Sequence, residues 1–194
     1  LSLPSLQEQG EMIGIKDCRD INRFPEYIRE QMEKGRMIHL TPQYRGGMTI
    51  KIANYMDIDV HEVENYVSQL LIEAIVSLRE IKDETEIKEM DFAADTAYFM
   101  QTTAMKMCKP GVIEQRISGA IEGIAIARGG IVSFPNIVSQ DGQTLHNHYH
   151  GNILKEGRMM VCDCGAETEN YLVSDFTRTT PVGGKFNSRQ KDDS

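Results

Sequence analysis

Two aspartates, Asp163 and Asp175, stand in the stretch VCDCGAETENYLVSDFTRT, which runs from Val161 to Thr179. Each lies in a run of apolar and β-branched residues, where a lone ionised carboxylate is costly to bury. If the two runs are the strands of a hairpin, the carboxylates come to the same face at the same level. Hard oxygen ligands that converge in this way suit divalent Mn, Mg, Ca or Zn. One carboxylate can bridge two ions while the other caps one of them. The competing reading has each aspartate bind turn backbone or pair with Arg178. Side chains alternate along a strand, so Cys162 and Cys164 point away from Asp163. A Cys-x-Cys pair with nothing nearby to complete a zinc site reads as core packing.

A second cluster is LHNHYH, Leu145 to His150. Its three histidines occupy alternate positions and share a face if the segment is a strand. Gly142 and His148-x-His150 are similar in part to the cupin metal pattern, although Glu156 falls one residue late for it. The plainer reading is a polar loop with partly solvated histidines. His39 and His61 are isolated and read as structural or surface residues.

These groups need elements to position them. The segment Arg23 to Met32 is a short amphipathic helix with Pro25 near its first turn. Arg36 to Leu40 reads as a brief strand ended by Pro42. Over residues 62–80, Val63, Tyr66, Val67, Leu70, Leu71, Ala74, Ile75 and Leu78 follow the spacing of one buried helical face. The charged break Ile81 to Glu86 places a domain boundary near residues 78–83. A helix from Glu84 to Lys109 stops at Pro110-Gly111, and another from Ile113 to Arg128 stops at Gly129-Gly130. The period then shortens. Ile131–Phe134, Ile137–Val138, Met159–Asp163 and Tyr171–Thr177 read as strands, with a turn at Asp141-Gly142. Helices followed by an antiparallel sheet make an α+β arrangement. The segment from Gly183 onward looks like the approach to another helix.

Composition bounds the function. The chain has 194 residues, 40% hydrophobic and 26% charged, with no low-complexity tract or repeat. A net charge of −8 with scattered basic residues argues against a nucleic-acid partner. No apolar run approaches the ~20 residues of a membrane span. The opening LSLPSLQEQGEMIG lacks the pattern of a secretion signal. It also lacks an initiator Met, so the start is expected upstream. Cys18, Cys108, Cys162 and Cys164 suggest no disulfide framework, and a reduced, cytoplasmic setting is expected.

The residues also resemble a known family. Leu78 to Ile87, Cys108-Lys109-Pro110-Gly111, Phe134 to Val138, Leu145-His146 and Lys155-Glu156-Gly157 are similar to the catalytic domain of Xaa-Pro aminopeptidases and prolidases. These are pita-bread metallopeptidases related to creatinase and methionine aminopeptidase. The likeness is strongest in Asp163-Cys164-Gly165-Ala166-Glu167 and Ser174 to Thr179. Pro181 to Phe186 favours aminopeptidase P over methionine aminopeptidase. The resemblance covers about residues 78–191 and implies the first half of a pita-bread domain over residues 78–194. Residues 1–77 would be the end of an N-terminal creatinase-like domain with a linker helix.

The resemblance implies that Asp163 is a metal ligand, that Asp175 bridges two ions, and that His146 faces the substrate as a catalytic residue. It matches His148 and His150 to no ligand. Phe134 stands where some relatives have tyrosine. The interval from Asp163 to Asp175 is one residue longer than in many relatives, a difference that a bulge absorbs. The implied cofactor is two divalent ions, manganese first, with cobalt or zinc as alternatives. The implied substrates are Xaa-Pro peptides, cleaved before proline by a homo-oligomer. A histidine and two glutamates of the family's site belong to a second half that begins after Gln190. The chain is therefore expected to carry part of the site, to be inactive alone, and to associate through its uncovered sheet. The rival from another class is a non-catalytic pita-bread relative that binds peptides or proteins. Retention of Asp163, Asp175 and His146 argues against it.

Overall fold

The computed structural model describes residues 3–144 and 146–192. It divides into two compact units, Leu1–Ile81 and Lys82–Ser194. The first unit is helical: α1 (Leu6–Met12), α2 (Phe24–Glu33), α3 (Gly46–Met56) and α4 (Gln69–Arg79), with 3-10 turns at Ile21–Arg23 and Val60–Tyr66. Pro25 sits in the first turn of α2, as its fixed φ favours. Phe24 meets Tyr55 of α3 edge to face at 5.6 Å.

Two expectations for this unit fail. Arg36 to Leu40 is not a strand; Leu40 alone makes an isolated parallel bridge to Val67. That bridge also breaks the long helix expected over residues 62–80. Leu40 N–H donates to Tyr66 O, and Ser68 N–H donates to Leu40 O, which holds Val67 extended. Ser68 then starts α4 afresh by accepting the Leu71 amide. No residue of α4 is buried. α3 carries little sequence signal, because Gly46-Gly47 in its first turn lowers helix propensity.

In the second unit Asp83 opens α5 (Glu84–Met107) with a reciprocal capping box. Its side chain accepts the Thr85 and Glu86 amides at 2.7 and 2.8 Å, and Glu86 returns a bond to the Asp83 amide. The buried stripe of α5, Ala93, Ala97, Met100 and Ala104, is mostly small, so α6 (Glu114–Ala127) and the sheet approach closely. α6 buries Ile117, Ile121 and Ala125 and ends where Gly129 adopts φ 87°. Arg128 ties the pair together. It donates to Thr96 Oγ1 at 2.9 Å, pairs with Asp95, and lies over the Phe92 and Phe99 rings.

The strands are β1 (Ile131–Val132), β2 (Ile137–Ser139), β3 (Met159–Cys164), β4 (Ala166–Glu167) and β5 (Phe176–Pro181), followed by α7 (Ser188–Asp192). One antiparallel sheet runs β2-β3-β5, and a short antiparallel ladder joins β1 to β4. Along β3, Met160, Cys162 and Cys164 are buried while Met159, Val161 and Asp163 face outward. The inward set packs with Met100, Ile117, Ile121, Val138, Leu154 and Val182 into one core. The α+β class is thus observed.

The strand expected over Tyr171–Thr177 lies later in the chain. Tyr171 takes φ 63° in a turn, and β5 begins only at Phe176. Ser174 holds the intervening chain by bonding to α5 and β4. Its hydroxyl donates to Ala93 O at 2.8 Å and accepts the Ala166 amide at 3.1 Å.

Candidate functional site

Asp163 is half-buried near the end of β3, directly opposite Thr177 of β5. Thr177 Oγ1 donates to Asp163 Oδ1 at 2.6 Å, which orients the carboxylate and leaves it lone-pair capacity. Asp175 is exposed and precedes β5. The pairs Cys164↔Phe176 and Glu167↔Val173 keep one register, which sets Asp175 opposite Gly165. The aspartates therefore share a face by strand period, but one pleat apart. The expectation of equal level is corrected: Thr177 holds that level, because the turn at Tyr171 shifts the pairing.

Other residues, not singled out from sequence, hold this geometry. Gln101 of α5 donates its amide to Cys162 O at 3.1 Å and Phe176 O at 2.5 Å, gripping both strands next to the aspartates. Ser133 Oγ donates to Ser174 O at 2.8 Å, immediately before Asp175. Gly165 is required by packing: a Cβ there would stand 1.8 Å from Ser174 O. Only the DCGAE and SDFTRT strings hinted at such contacts.

The cysteines lie on the opposite side, as their alternation implied. Cys162 and Cys164 are buried, with sulfurs 3.8 Å apart. The hydrogen bond to Cys164, then burial, pushes the Cys162 thiol up, and burial pushes Cys108 up to about 11. Thiols held protonated are poor ligands and poor nucleophiles, so packing is their role.

The histidine segment is not a strand. Residues 147–150 have no regular structure, His146 sits in a turn at φ 56°, and Leu145 lies outside the described residues. His146 and His148 are exposed and His150 is half-buried, its Nε2 3.0 Å from Asn136 O. Glu156 lies in an exposed turn. Among the described residues no three His, Cys, Asp or Glu side chains form a metal-binding group, and the histidine segment is not the strand on which the cupin-like reading depends. His148 and His150 instead line a cleft of about 550 Å³ with Ser118 and Glu122 of α6 and the loop Ser133 to Asn136. The buried Asn136 Oδ1 has no hydrogen-bond partner.

Two carboxylates on one face, one steadied by a hydroxyl, are the right donor chemistry for a hard divalent ion. Two carboxylates are fewer donors than such an ion takes. Residues 88–193 match the sequence model of metallopeptidase family M24. The chain belongs to that family. M24 membership implies divalent metal ions, for which Asp163 and Asp175 have the fitting donors.

Relatives of this M24 chain include Xaa-Pro aminopeptidase 3 of Rattus norvegicus, 35% identical over 119 residues, which are 60% of this chain and 23% of that protein. The Xaa-Pro aminopeptidase of Escherichia coli is 30% identical over 118 residues, 59% of this chain and 26% of that protein. Among solved structures, Pseudomonas aeruginosa aminopeptidase PepP superposes with a TM-score of 0.77 at 21% identity, over 96% of this chain and 44% of that one. The prolidase of Pyrococcus furiosus gives 0.58 at 26% identity, over 62% of this chain and 36% of that one. The chain thus spans about a quarter of these curated relatives. Its M24 unit has part of the pita-bread fold of aminopeptidase P. Among the described residues no helix is long and apolar enough to cross a membrane.

Proposed function

We propose that the chain carries the first metal-ligand pair of an Xaa-Pro aminopeptidase, which hydrolyses the bond between an N-terminal residue and a following proline. The observation that carries this reading is the outward Asp163 and Asp175 in one strand register, Asp163 steadied by Thr177, in an M24 chain. Asp163 and Asp175 would hold the divalent ions, manganese first. Bound there, such ions make water acidic and polarise the scissile carbonyl.

The chain's own residues then orient and donate. Thr177 keeps the Asp163 carboxylate from turning away, and Gln101 holds the strand backbones beside both aspartates. His146 donates a hydrogen bond at the scissile group, where a preorganised donor favours the transition state. A specific observation supports a second assignment for that donor: His148, not His146, lines the cleft. Loss of kcat confined to His146→Ala supports the first assignment, and loss confined to His148→Ala the second. The remaining ligands, a histidine and two glutamates, are proposed to come from polypeptide outside this chain. A homo-oligomer acting in the cytoplasm on Xaa-Pro peptides completes the proposal.

The test is a calorimetric titration of Mn²⁺ into this chain and into Asp175→Ala. Binding at about micromolar Kd that the substitution abolishes supports the metal site. Binding that survives in Asp175→Ala overturns the assignment. Equally weak binding in both leaves the rival, a peptide-binding relative, to be measured with Xaa-Pro peptides in the same instrument.

A further inference from the structure

The loop between β2 and β3 carries the clustered histidines, yet its described residues from 141 to 151 form no helix or strand. A buried carboxylate bonds to both of its ends, beside the Gln140 side chain, which donates to Ile153 O and accepts the Lys155 amide. Glu114, in the first turn of α6, is 0% exposed. Its Oε1 accepts the Gln140 amide at 2.8 Å, and Asn152 Nδ2 donates to Oε2 at 3.1 Å. Gln140 enters the loop and Asn152 leaves it. The first amides of α6 take carbonyls on the returning limb: Glu114 N–H donates to Asn152 O at 3.0 Å and Gln115 N–H to His150 O at 2.9 Å. From there the His150 ring reaches Asn136 O at the cleft.

A helix start does not need a buried glutamate, since an exposed one in the first turn already complements the helix dipole. Burying a carboxylate is unfavourable unless donors meet it. Here the donors stand at the two ends of the histidine loop. We propose that Glu114 is a positioning residue, closing this loop at both ends and so setting where the His148 and His150 rings stand in the cleft. The catalytic meaning of that placement rests on the peptidase reading; the anchoring does not.

The test compares Glu114→Gln, Asn152→Asp and the double variant. In Glu114→Gln the new amide group confronts the Asn152 amide, donor against donor. Asn152→Asp brings a half-buried carboxylate against the buried Glu114. In the double variant the introduced amide donates to the introduced carboxylate, and its oxygen still accepts the Gln140 amide. Each single variant is expected to speed hydrogen exchange at the Gln115 and Gln140 amides by about ten- to a hundred-fold. It also moves the His150 ring resonances, while exchange at Met160 and Cys162 in β3 changes by less than about threefold. The double variant returns both signals toward the parent.

Unchanged loop exchange in both singles, exchange rising equally along β3, or no recovery in the double variant would overturn the anchoring. In a parent protein that cleaves Xaa-Pro peptides, the singles are expected to lower kcat with little change in KM. An unchanged kcat overturns the positioning role. No cleavage even when the polypeptide that supplies the remaining ligands is present overturns the peptidase reading, while the exchange data still decide the anchoring.

Discussion

At the scale of single residues, the hydroxyl on Asp163 matters because a free carboxylate turns between rotamers and a bonded one does not. Thr177→Val removes that donor and keeps the side-chain shape. The expected outcome is Mn²⁺ affinity about tenfold weaker by calorimetry, the size usual for partners behind a ligand. The buried thiols give a pH prediction. Cys108 ionises at about 11 in the folded chain against 9.0 ordinarily. Below 9.0 it is protonated in both states and its contribution is complete; between 9.0 and about 11 only the unfolded chain ionises, so stability falls. The urea midpoint of the parent should drop more steeply across that window than the midpoint of Cys108→Ala. Equal slopes would refute the linkage. Iodoacetamide at about pH 8 should modify the half-buried Cys18 before Cys108 or Cys162.

Elements are placed here by close backbone approach as much as by side-chain packing. Gly165 lets β3 pass Ser174, and the bonds from Ser174 to Ala93 and Ala166 fix the chain just before Asp175. Gly165→Ala forces a backbone shift, with an expected loss of about 3 kcal/mol or more, at the top of the overpacking range. Gly119, exposed in α6, has open space where a Cβ would stand, with no neighbouring atom within 4 Å. Gly119→Ala should therefore stabilise by about 0.5–1 kcal/mol. Denaturant midpoints of the two variants moving in the same direction would contradict this contrast. The Asp83 capping box is a smaller lever. Asp83→Ala should cost about 1 kcal/mol in the same measurement.

For the whole molecule, the informative strand is β5. It lies at the end of the β2-β3-β5 sheet, and its first four residues, Phe176 to Thr179, are exposed on both faces. Tyr171 and Val173 just before it are exposed as well. Among the described residues no further strand pairs with β5, and an open, partly apolar edge is a template for another strand. This chain is therefore expected to associate with itself, giving a sedimentation mass above the monomer that falls on dilution. Phe176→Lys places a charge on that edge and should shift the distribution toward monomer. A parent chain that sediments as one monomeric species at about 100 μM, well above weak-association Kd values, would rule this out.

Much of the second unit was legible from local chemistry. The helical period and caps marked α5 and α6, Gly129-Gly130 marked the stop, and the alternation of Met160, Cys162 and Cys164 against Asp163 marked which side of β3 is buried. Asp163 and Asp175 stood out because isolated carboxylates in apolar runs demand a partner. α3 and the break at Val67 were hidden, since the first has a glycine-weakened start and the second depends on Leu40, far along the chain. Register was hidden for the same kind of reason. The turn at Tyr171 and the Ser174 bonds to α5 decide that Thr177, not Asp175, stands opposite Asp163, and no periodicity within one strand encodes a pairing offset. The sequence by itself determined the α+β class and which residue types can bind metal. Only the tertiary structure decided their level, their hydroxyl partner and the carboxylate that ties the histidine loop, because each of these is a contact between segments whose spacing along the chain says nothing about their distance in space.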